Sequence, residues 1–153
     1  MPESLSPPFL APGDGIALVS VSRFGESAVM EQAESWIRSQ GFTPFRAPNL
    51  GARSHQFGGD DATRAADVNW AIAHPEVKAI WSIRGGYGAV RMVDAINWSS
   101  LKAQPKWLIG FSDFTTFLCH GIQKGIATLH APMPISFSIT HPDALTATFD
   151  VLR

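Results

Sequence analysis

A serine on a tight turn is the residue of this chain best suited to chemistry. The segment Lys106–Gly110 is short and apolar, and Ser112 follows it closely, ahead of a stretch with apolar residues at helical spacing. This order predicts a strand, a sharp corner and a helix, with the Ser112 hydroxyl projecting from the corner as a candidate nucleophile. The free N–H groups of the first helical turn would face the same space and could stabilise an oxyanion.

The same serine has a simpler interpretation. Serine is a favoured helix N-cap, and Asp113 in the first turn would suit the positive end of the helix dipole. The nucleophile pattern usually has a second glycine after the serine, and Phe114 occupies that place here. The local pattern alone therefore leaves both roles open for Ser112.

A glycine-rich loop is the second candidate site. Arg84–Gly88, with the sequence Arg-Gly-Gly-Tyr-Gly, directly follows an apolar segment. Such a loop can bind an anion, supply an N–H group to an oxyanion, or simply turn tightly. Its spacing matches neither the dinucleotide fingerprint nor the phosphate-binding loop, so a nucleotide-binding domain would rest on the glycines alone.

The remaining reactive side chains give weaker signals. A serine nucleophile needs a base, and His130 is the best local candidate among five histidines, but its sequence context favours a loop or packing role, and no triad closes within the chain. No histidine or cysteine spacing suggests a metal site, and we predict neither metal nor cofactor. Cys119 is the only cysteine, which excludes an internal disulfide, and its apolar helical position predicts a buried, inert thiol.

The fold class follows from alternating apolar and amphipathic segments. Strands are predicted over 15–21, 42–45, 77–83, 106–110 and 126–129, and helices over 26–40, from 60 to before 75, over 89–96 and after Ser112. Alternating strands and helices predict an α/β fold, a parallel sheet with helices on both faces. The glycine loop and Ser112 both fall beyond carboxyl ends of strands, where functional loops of such sheets collect.

Length and composition bound the class of protein. The 153 residues are 45% hydrophobic, enough for about one domain with its own core. A formal charge of -1 without a basic stretch argues against a nucleic-acid partner. No segment has the apolar length of a membrane span, and the first residues do not form a signal-peptide pattern, so a cytoplasmic protein is expected.

The two ends of the chain differ from its middle. Prolines within residues 1–12 predict a flexible arm, and residues 13–140 form the predicted α/β domain. Leu145, Phe149 and Leu152 keep helical spacing without a stop signal. We therefore expect 141–153 to begin a linker or helix that leads to a further domain, with apolar surface exposed where that domain would dock.

Five motifs in order carry a resemblance to a known family. They are Phe57–Asn69, Arg84–Arg91, Ile96–Trp98, Pro105–Thr115 and Thr128–Met133. Together they resemble the LD-carboxypeptidase family, serine peptidases of the murein tetrapeptide carboxypeptidase and microcin-immunity type. The resemblance implies a flavodoxin-like or class I glutamine amidotransferase-like N-terminal domain of a two-domain enzyme that uses a Ser-Glu-His triad and no metal.

The resemblance also implies roles for individual residues. Ser112 matches the nucleophile, while the backbone N–H groups of Gly86 and Asp113 match the oxyanion hole. Gly85 and Tyr87 match substrate-binding positions. The family's Glu and His lie in a C-terminal domain outside this chain, so we expect the chain alone to be inactive.

The implied reaction is hydrolysis of the amide between an L-centre and a terminal D-amino acid, typically in muropeptide tetrapeptides during cytoplasmic cell-wall recycling. A peptidyl-nucleotide antibiotic is the alternative substrate, and a non-catalytic binding domain is the alternative to an enzyme. Expected partners are the protein's own C-terminal domain and a second copy in a homodimer. One departure is Ser20–Ser22, where the family commonly has an Ala-Pro-Ser turn.

Overall fold

A five-stranded parallel sheet forms the centre of the molecule in a computed structural model, which describes residues 5–153. The strands are β1 (Gly15–Val19), β2 (Thr43–Arg46), β3 (Val77–Ser82), β4 (Trp107–Gly110) and β5 (Leu129–His130). Their spatial order is β2-β1-β3-β4-β5, and every pairing is parallel. This is the flavodoxin-like order, so the predicted α/β class and parallel sheet are confirmed.

Six α-helices connect and cover the strands within the described residues. They are α1 (Ser27–Ser39), α2 (Asp61–Ala73), α3 (Ala89–Met92), α4 (Trp98–Ala103), α5 (Thr115–Gln123) and α6 (Pro142–Leu152). Asp60 caps α2 by accepting a hydrogen bond from the Thr63 N–H, as its position before the helix predicts. The single helix predicted over 89–96 is wrong, because α3 ends at Met92 and a 3-10 helix, Val93–Ala95, follows it.

Two hydrophobic cores lie on opposite faces of the sheet. Alternation along β1 sends Ile16 and Leu18 to one face and Ala17 and Val19 to the other. The Ile16 face is covered by α1 and α6, and the Ala17 face by helices α2 to α5. Because both faces are covered, β1 and β4 are apolar throughout, as is typical of parallel sheets, and β3 is apolar apart from Lys78 and Ser82.

Helix α6 is part of this core. Its apolar residues Leu145, Phe149 and Leu152 are almost completely buried, and the Phe149 ring lies 5.4 Å from the Trp81 ring of β3. The predicted helical spacing is therefore confirmed. The face is covered by the sheet of the same chain.

The N-terminal segment is also held in place from residue 5 onward. Leu5 forms a bridge with Ile126, Leu10 is buried, and the Leu10 N–H donates to the Leu152 carbonyl. The indole N–H of Trp107 donates to the Pro8 carbonyl. The predicted flexible arm is thus wrong for residues 5–12, because apolar side chains and backbone bonds fix them, and residues 1–4 lie outside the described part.

A buried lysine lies at the amino edge of the sheet. Lys106, just before β4, is only 5% exposed, and its Nζ donates to the carbonyls of Ala71 and His74 at 2.8 and 2.7 Å. These carbonyls belong to the C-terminal end of α2, which the ammonium therefore caps. Burial lowers the pKa of Lys106 to about 8, with a smaller contribution from the charge of Lys78.

Cys119 is exposed on α5. The predicted buried thiol is wrong, because the residue lies on the solvent side of the helix, next to the buried Leu118.

Among residues 5–153, no helix combines the length and the apolar character needed to cross a membrane.

Candidate functional site

Ser112 occupies the corner between β4 and α5. It is the first residue of a short 3-10 helix, Ser112–Phe114, and its φ of 57° lies in the left-handed region. This conformation costs a non-glycine residue about 1–3 kcal/mol and is concentrated at functional sites. The side chain is exposed, and its hydroxyl forms no hydrogen bond with the described residues. The N-cap interpretation of Ser112 is therefore wrong.

Phe114 explains how the corner forms without a second glycine. Its side chain is fully buried and stacks on Phe117 of α5, with ring centroids 5.1 Å apart. A side chain at Gly110 would meet the Phe114 ring at 2.6 Å, so glycine is required before the serine. The buried Phe114 ring thus fills the inner side of the corner, at the sequence position where the usual pattern has a glycine.

The glycine loop lies directly against Ser112. Gly85 is buried, and a Cβ there would lie 3.0 Å from Ser112 Oγ and 3.1 Å from its Cβ. Gly86 and Gly88 have φ values of 128° and 136°, which L side chains rarely adopt. The absence of side chains therefore lets this loop follow the serine closely, and the loop and the serine share the carboxyl edge of the sheet.

The Asp113 side chain ties three loops together. Its Oδ2 accepts hydrogen bonds from Ser22 Oγ at 2.6 Å and from the Ala89 N–H at 2.9 Å. Ser22 follows β1, and Ala89 begins α3 directly after the glycine loop. Sequence reasoning assigned Asp113 a backbone role, whereas its carboxylate also fixes the positions of both neighbouring loops.

Arg64 is a second link between these loops, and sequence reasoning missed it. Its guanidinium is fully buried and donates to the carbonyls of Val21, Gly59 and Gly88. It also pairs with the exposed carboxylate of Asp61. The available signal was its helical position, since Arg64 lies on the same face of α2 as the buried core residues of that helix.

The candidate base forms no hydrogen bond with the serine. His130 is exposed at the end of β5, and its ring lies edge-on against Phe111 at 6.1 Å. His120 contacts the Thr116 carbonyl through Nδ1. Within residues 5–153 no histidine hydrogen-bonds Ser112, and no group of three or more histidine, cysteine or acidic side chains gathers where it could hold a metal ion.

Space for a ligand is present beside the corner. Tyr87 is 50% exposed and lies 6.3 Å from the Phe57 ring, beyond the glycine loop. An open apolar groove of about 350 Å³ begins at Phe111, beside Ser112. Its lining is mostly apolar and comprises Phe111, His130, Ala131, Pro132, Ser136, Ile139 and Thr140.

Taken together, the site is a strained serine facing a glycine loop. It lies at the carboxyl ends of β1, β3 and β4, where the order of the strands reverses and where such sheets bind their ligands. The arrangement provides an exposed hydroxyl next to backbone N–H groups of a helical start, which is a geometry suited to acyl transfer.

Known proteins are similar to this chain in sequence. Residues 16–131 match the sequence model of the LD-carboxypeptidase N-terminal domain. A protein of Streptomyces coelicolor that is named as a carboxypeptidase is 36% identical over 138 residues, which cover 87% of this chain and 44% of the relative. The murein tetrapeptide carboxypeptidase of Pseudomonas aeruginosa is 28% identical over 131 residues, or 84% of this chain and 43% of the relative.

Solved structures agree at the level of the fold. The muramoyltetrapeptide carboxypeptidase of Oxalobacter formigenes has a TM-score of 0.81 at 23% identity, with 90% of this chain and 47% of that protein covered. The chain therefore spans less than half the length of the relatives that it matches. Because the family match covers most of the chain, this protein belongs to the LD-carboxypeptidase family, and the match lies in the N-terminal domain of that family.

Proposed function

We propose that this chain is the nucleophile-bearing domain of a serine carboxypeptidase. The substrate would be a peptide with an amide between an L-centre and a terminal D-amino acid, such as a muropeptide tetrapeptide. The observation that carries the proposal is the left-handed, exposed Ser112, whose hydroxyl faces Gly85 and forms no hydrogen bond with the described residues. Strain at an exposed serine serves no packing purpose and suits a nucleophile.

The proposed roles follow from the positions of the groups. Ser112 Oγ attacks the scissile carbonyl carbon, and the N–H groups of Gly86 and Asp113 stabilise the negative oxygen that forms. Gly85 leaves room for the substrate beside the serine, and Tyr87 offers an exposed ring to the peptide. The Asp113 carboxylate holds its own backbone and the end of the glycine loop in position, because it accepts hydrogen bonds from Ser22 Oγ and the Ala89 N–H.

The proton transfers need groups from elsewhere. No histidine within residues 5–153 reaches Ser112, and a serine nucleophile without a base loses most of its reactivity. The family places a Glu and a His in a C-terminal domain, and we assign the base to that domain. The same family membership supports a cytoplasmic role in cell-wall recycling and a homodimeric enzyme as parts of this proposal.

The decisive experiment measures D-alanine release from a muropeptide tetrapeptide. Three proteins are compared: the full-length product of the reading frame, its Ser112→Ala variant and the 153-residue chain. We expect activity only in the unmodified full-length protein. Equal activity in Ser112→Ala would overturn the role of the serine, and activity of the 153-residue chain would overturn the assignment of the base.

A second substrate belongs in the same experiment. The microcin C7 self-immunity protein MccF of Escherichia coli is 26% identical to this chain over 117 residues, which cover 75% of the chain. A peptidyl-nucleotide is therefore assayed beside the tetrapeptide. Preference for the peptidyl-nucleotide would change the substrate class, whereas inactivity of the full-length protein on both compounds would refute the proposed chemistry.

A further inference from the structure

Two arginines beside the glycine loop differ from all others in the chain. Within the described residues, six of the eight arginines form an ion pair with a carboxylate. These six are Arg38, Arg46, Arg53, Arg64, Arg91 and Arg153. The remaining two, Arg23 and Arg84, both lie at the carboxyl edge of the sheet, next to the candidate site. Their positive charges are uncompensated by any described acid.

Arg23 lies against the proposed oxyanion donor. A Cβ placed on Gly86 would meet Arg23 Cγ at 2.5 Å and Cδ at 2.6 Å, so the stem of the arginine covers that glycine. Its backbone is fixed, because Ser20 Oγ donates to the Arg23 carbonyl and Arg23 forms a bridge with Phe57. The side chain is exposed, and its guanidinium begins one bond beyond Cδ. An anchored backbone therefore carries a solvent-accessible cation beside Gly86.

Arg84 is the second arginine next to the glycine loop that has no acidic partner among the described residues. It directly precedes Gly85 and is half-buried, and its Nη1 makes one long contact, 3.4 Å, with the Phe24 carbonyl. Its Nε is buried without any hydrogen-bond partner. Buried donors are usually paired, so this guanidinium is unusually short of acceptors. Asp113 forms no ion pair with either arginine, and its Oδ2 accepts hydrogen bonds from Ser22 and Ala89 instead.

We propose that Arg23 binds the terminal carboxylate of the peptide substrate, with Arg84 as a second cation next to the glycine loop. This inference rests on the proposed function. In a peptide, only a nitrogen and the α-carbon of the last residue separate the scissile carbonyl from the terminal carboxylate. A group that binds the carboxylate must therefore lie beside the oxyanion hole, and Arg23 covers Gly86 there. Guanidinium and carboxylate match in geometry and form charge-assisted hydrogen bonds.

The consequence is a preference for the end of a chain. A substrate with a free terminal carboxylate gives the arginine a partner, whereas an internal amide or a C-terminal amide leaves the cation unpaired. Such an unpaired polar group lowers affinity by one to two orders of magnitude, about 1.5–3 kcal/mol for a bond to a charged group.

The test compares two substrates on the full-length reading-frame product. They are a tetrapeptide ending in D-alanine and the same peptide ending in D-alaninamide. We expect Arg23→Gln to lower the acid-to-amide ratio of kcat/KM at least tenfold, mainly through KM for the acid, and Arg23→Lys to restore part of it. Arg38→Gln is the matched control, because it removes the same charge from the last turn of α1, at the opposite edge of the sheet.

The outcomes separate this proposal from the proposed function. An unchanged acid-to-amide ratio in Arg23→Gln, or an equal loss on both substrates, overturns the carboxylate site. If the unmodified protein hydrolyses neither peptide, the proposed function fails, and the site is judged by calorimetric binding of the two intact peptides. Tighter binding of the acid that disappears in Arg23→Gln supports the site, and equal binding of acid and amide refutes it.

Discussion

The two most deeply buried cations of the molecule sit near opposite ends of α2 and are held differently. Arg64, near the start of the helix, donates to three carbonyls from separate loops and pairs with Asp61. Lys106, at the end of the helix, donates to two carbonyls of one helix terminus and has no carboxylate partner among the described residues. One cation joins the loops of the candidate site, and the other caps a helix at the far edge.

The difference reflects the chemistry of the two side chains. A guanidinium is planar and always charged, and its several donors can bond groups that approach from different directions. An ammonium is compact and loses its proton when burial is costly enough. A guanidinium therefore joins the loops around Ser112, whereas at the amino edge burial lowers the pKa of the Lys106 ammonium to about 8.

The largest effect is expected from removing the arginine. Arg64→Met should lower the free energy of unfolding by about 4 kcal/mol, because three carbonyls lose their donor in a buried place. Urea denaturation of the 153-residue chain measures this loss. Arg64→Lys should recover only part of it, since a single ammonium cannot reach all three loops.

Arg91→Met is the matched control for this prediction. Arg91 also pairs with Asp61, but its side chain is 45% exposed. Its removal should leave the free energy of unfolding nearly unchanged. Equal losses in the two methionine variants would contradict the view that Arg64 acts through the buried carbonyls.

A smaller, pH-dependent effect is expected at the lysine. Between pH 8 and 10.5 the unfolded chain retains a proton that folded Lys106 has lost, so the stability of the protein should rise with pH across this window. Relative to Lys106→Met, the full rise in the free energy of unfolding should amount to about 3 kcal/mol.

The measurement is urea denaturation of the wild type and Lys106→Met at several pH values from 7 to 11. The difference between the two proteins should be flat below pH 8, rise between pH 8 and 10.5, and level off above. Lys102→Met, at an exposed position of α4, controls for the loss of a positive charge. A difference that falls with rising pH would mean that the ammonium is favoured in the fold.

The smallest change in stability is expected for the hydrogen bond between Ser22 and Asp113. It tests whether Asp113, as well as Arg64, holds the loops at the carboxyl edge of the sheet in place. A double-mutant cycle of Ser22→Ala and Asp113→Ala should give a coupling of about 1.5 kcal/mol, because the hydroxyl donates to a charged oxygen. Denaturation of the four proteins measures the coupling. A value near zero would assign the anchoring of the Ser22 loop to Arg64 alone.

Much of the fold could be predicted because its signals are local. Apolar runs gave the strands, and Asp60 gave the start of α2. The burial of α6 against the sheet could not be predicted, since spacing identifies an apolar face but not what covers it. The break after Met92 was also missed, because the change from α to 3-10 geometry leaves little trace in the sequence.

The candidate site shows the same division. The prominence of Ser112 and its proximity to the glycine loop follow from strand ends that meet at one edge of a sheet. The Arg64 bonds were missed because they join carbonyls far apart in the chain. Backbone carbonyls carry no residue identity, so no pattern of residue types marks them. The unpaired state of Arg23 likewise depends on the positions of all acids, which only the structure supplies.

The burial of α6 against Trp81 has a consequence for the order of folding. Helix α6 has 11 residues and is the last element of the chain. The hydrogen bond between Leu10 and Leu152 joins residues at almost the greatest possible separation in the sequence. Contacts of such high sequence separation form slowly, because a long loop must close first. During synthesis the face of the sheet around Trp81 therefore remains exposed to water until α6 emerges. A chain that ends at His141 should bind more of a hydrophobic dye than the 153-residue chain does.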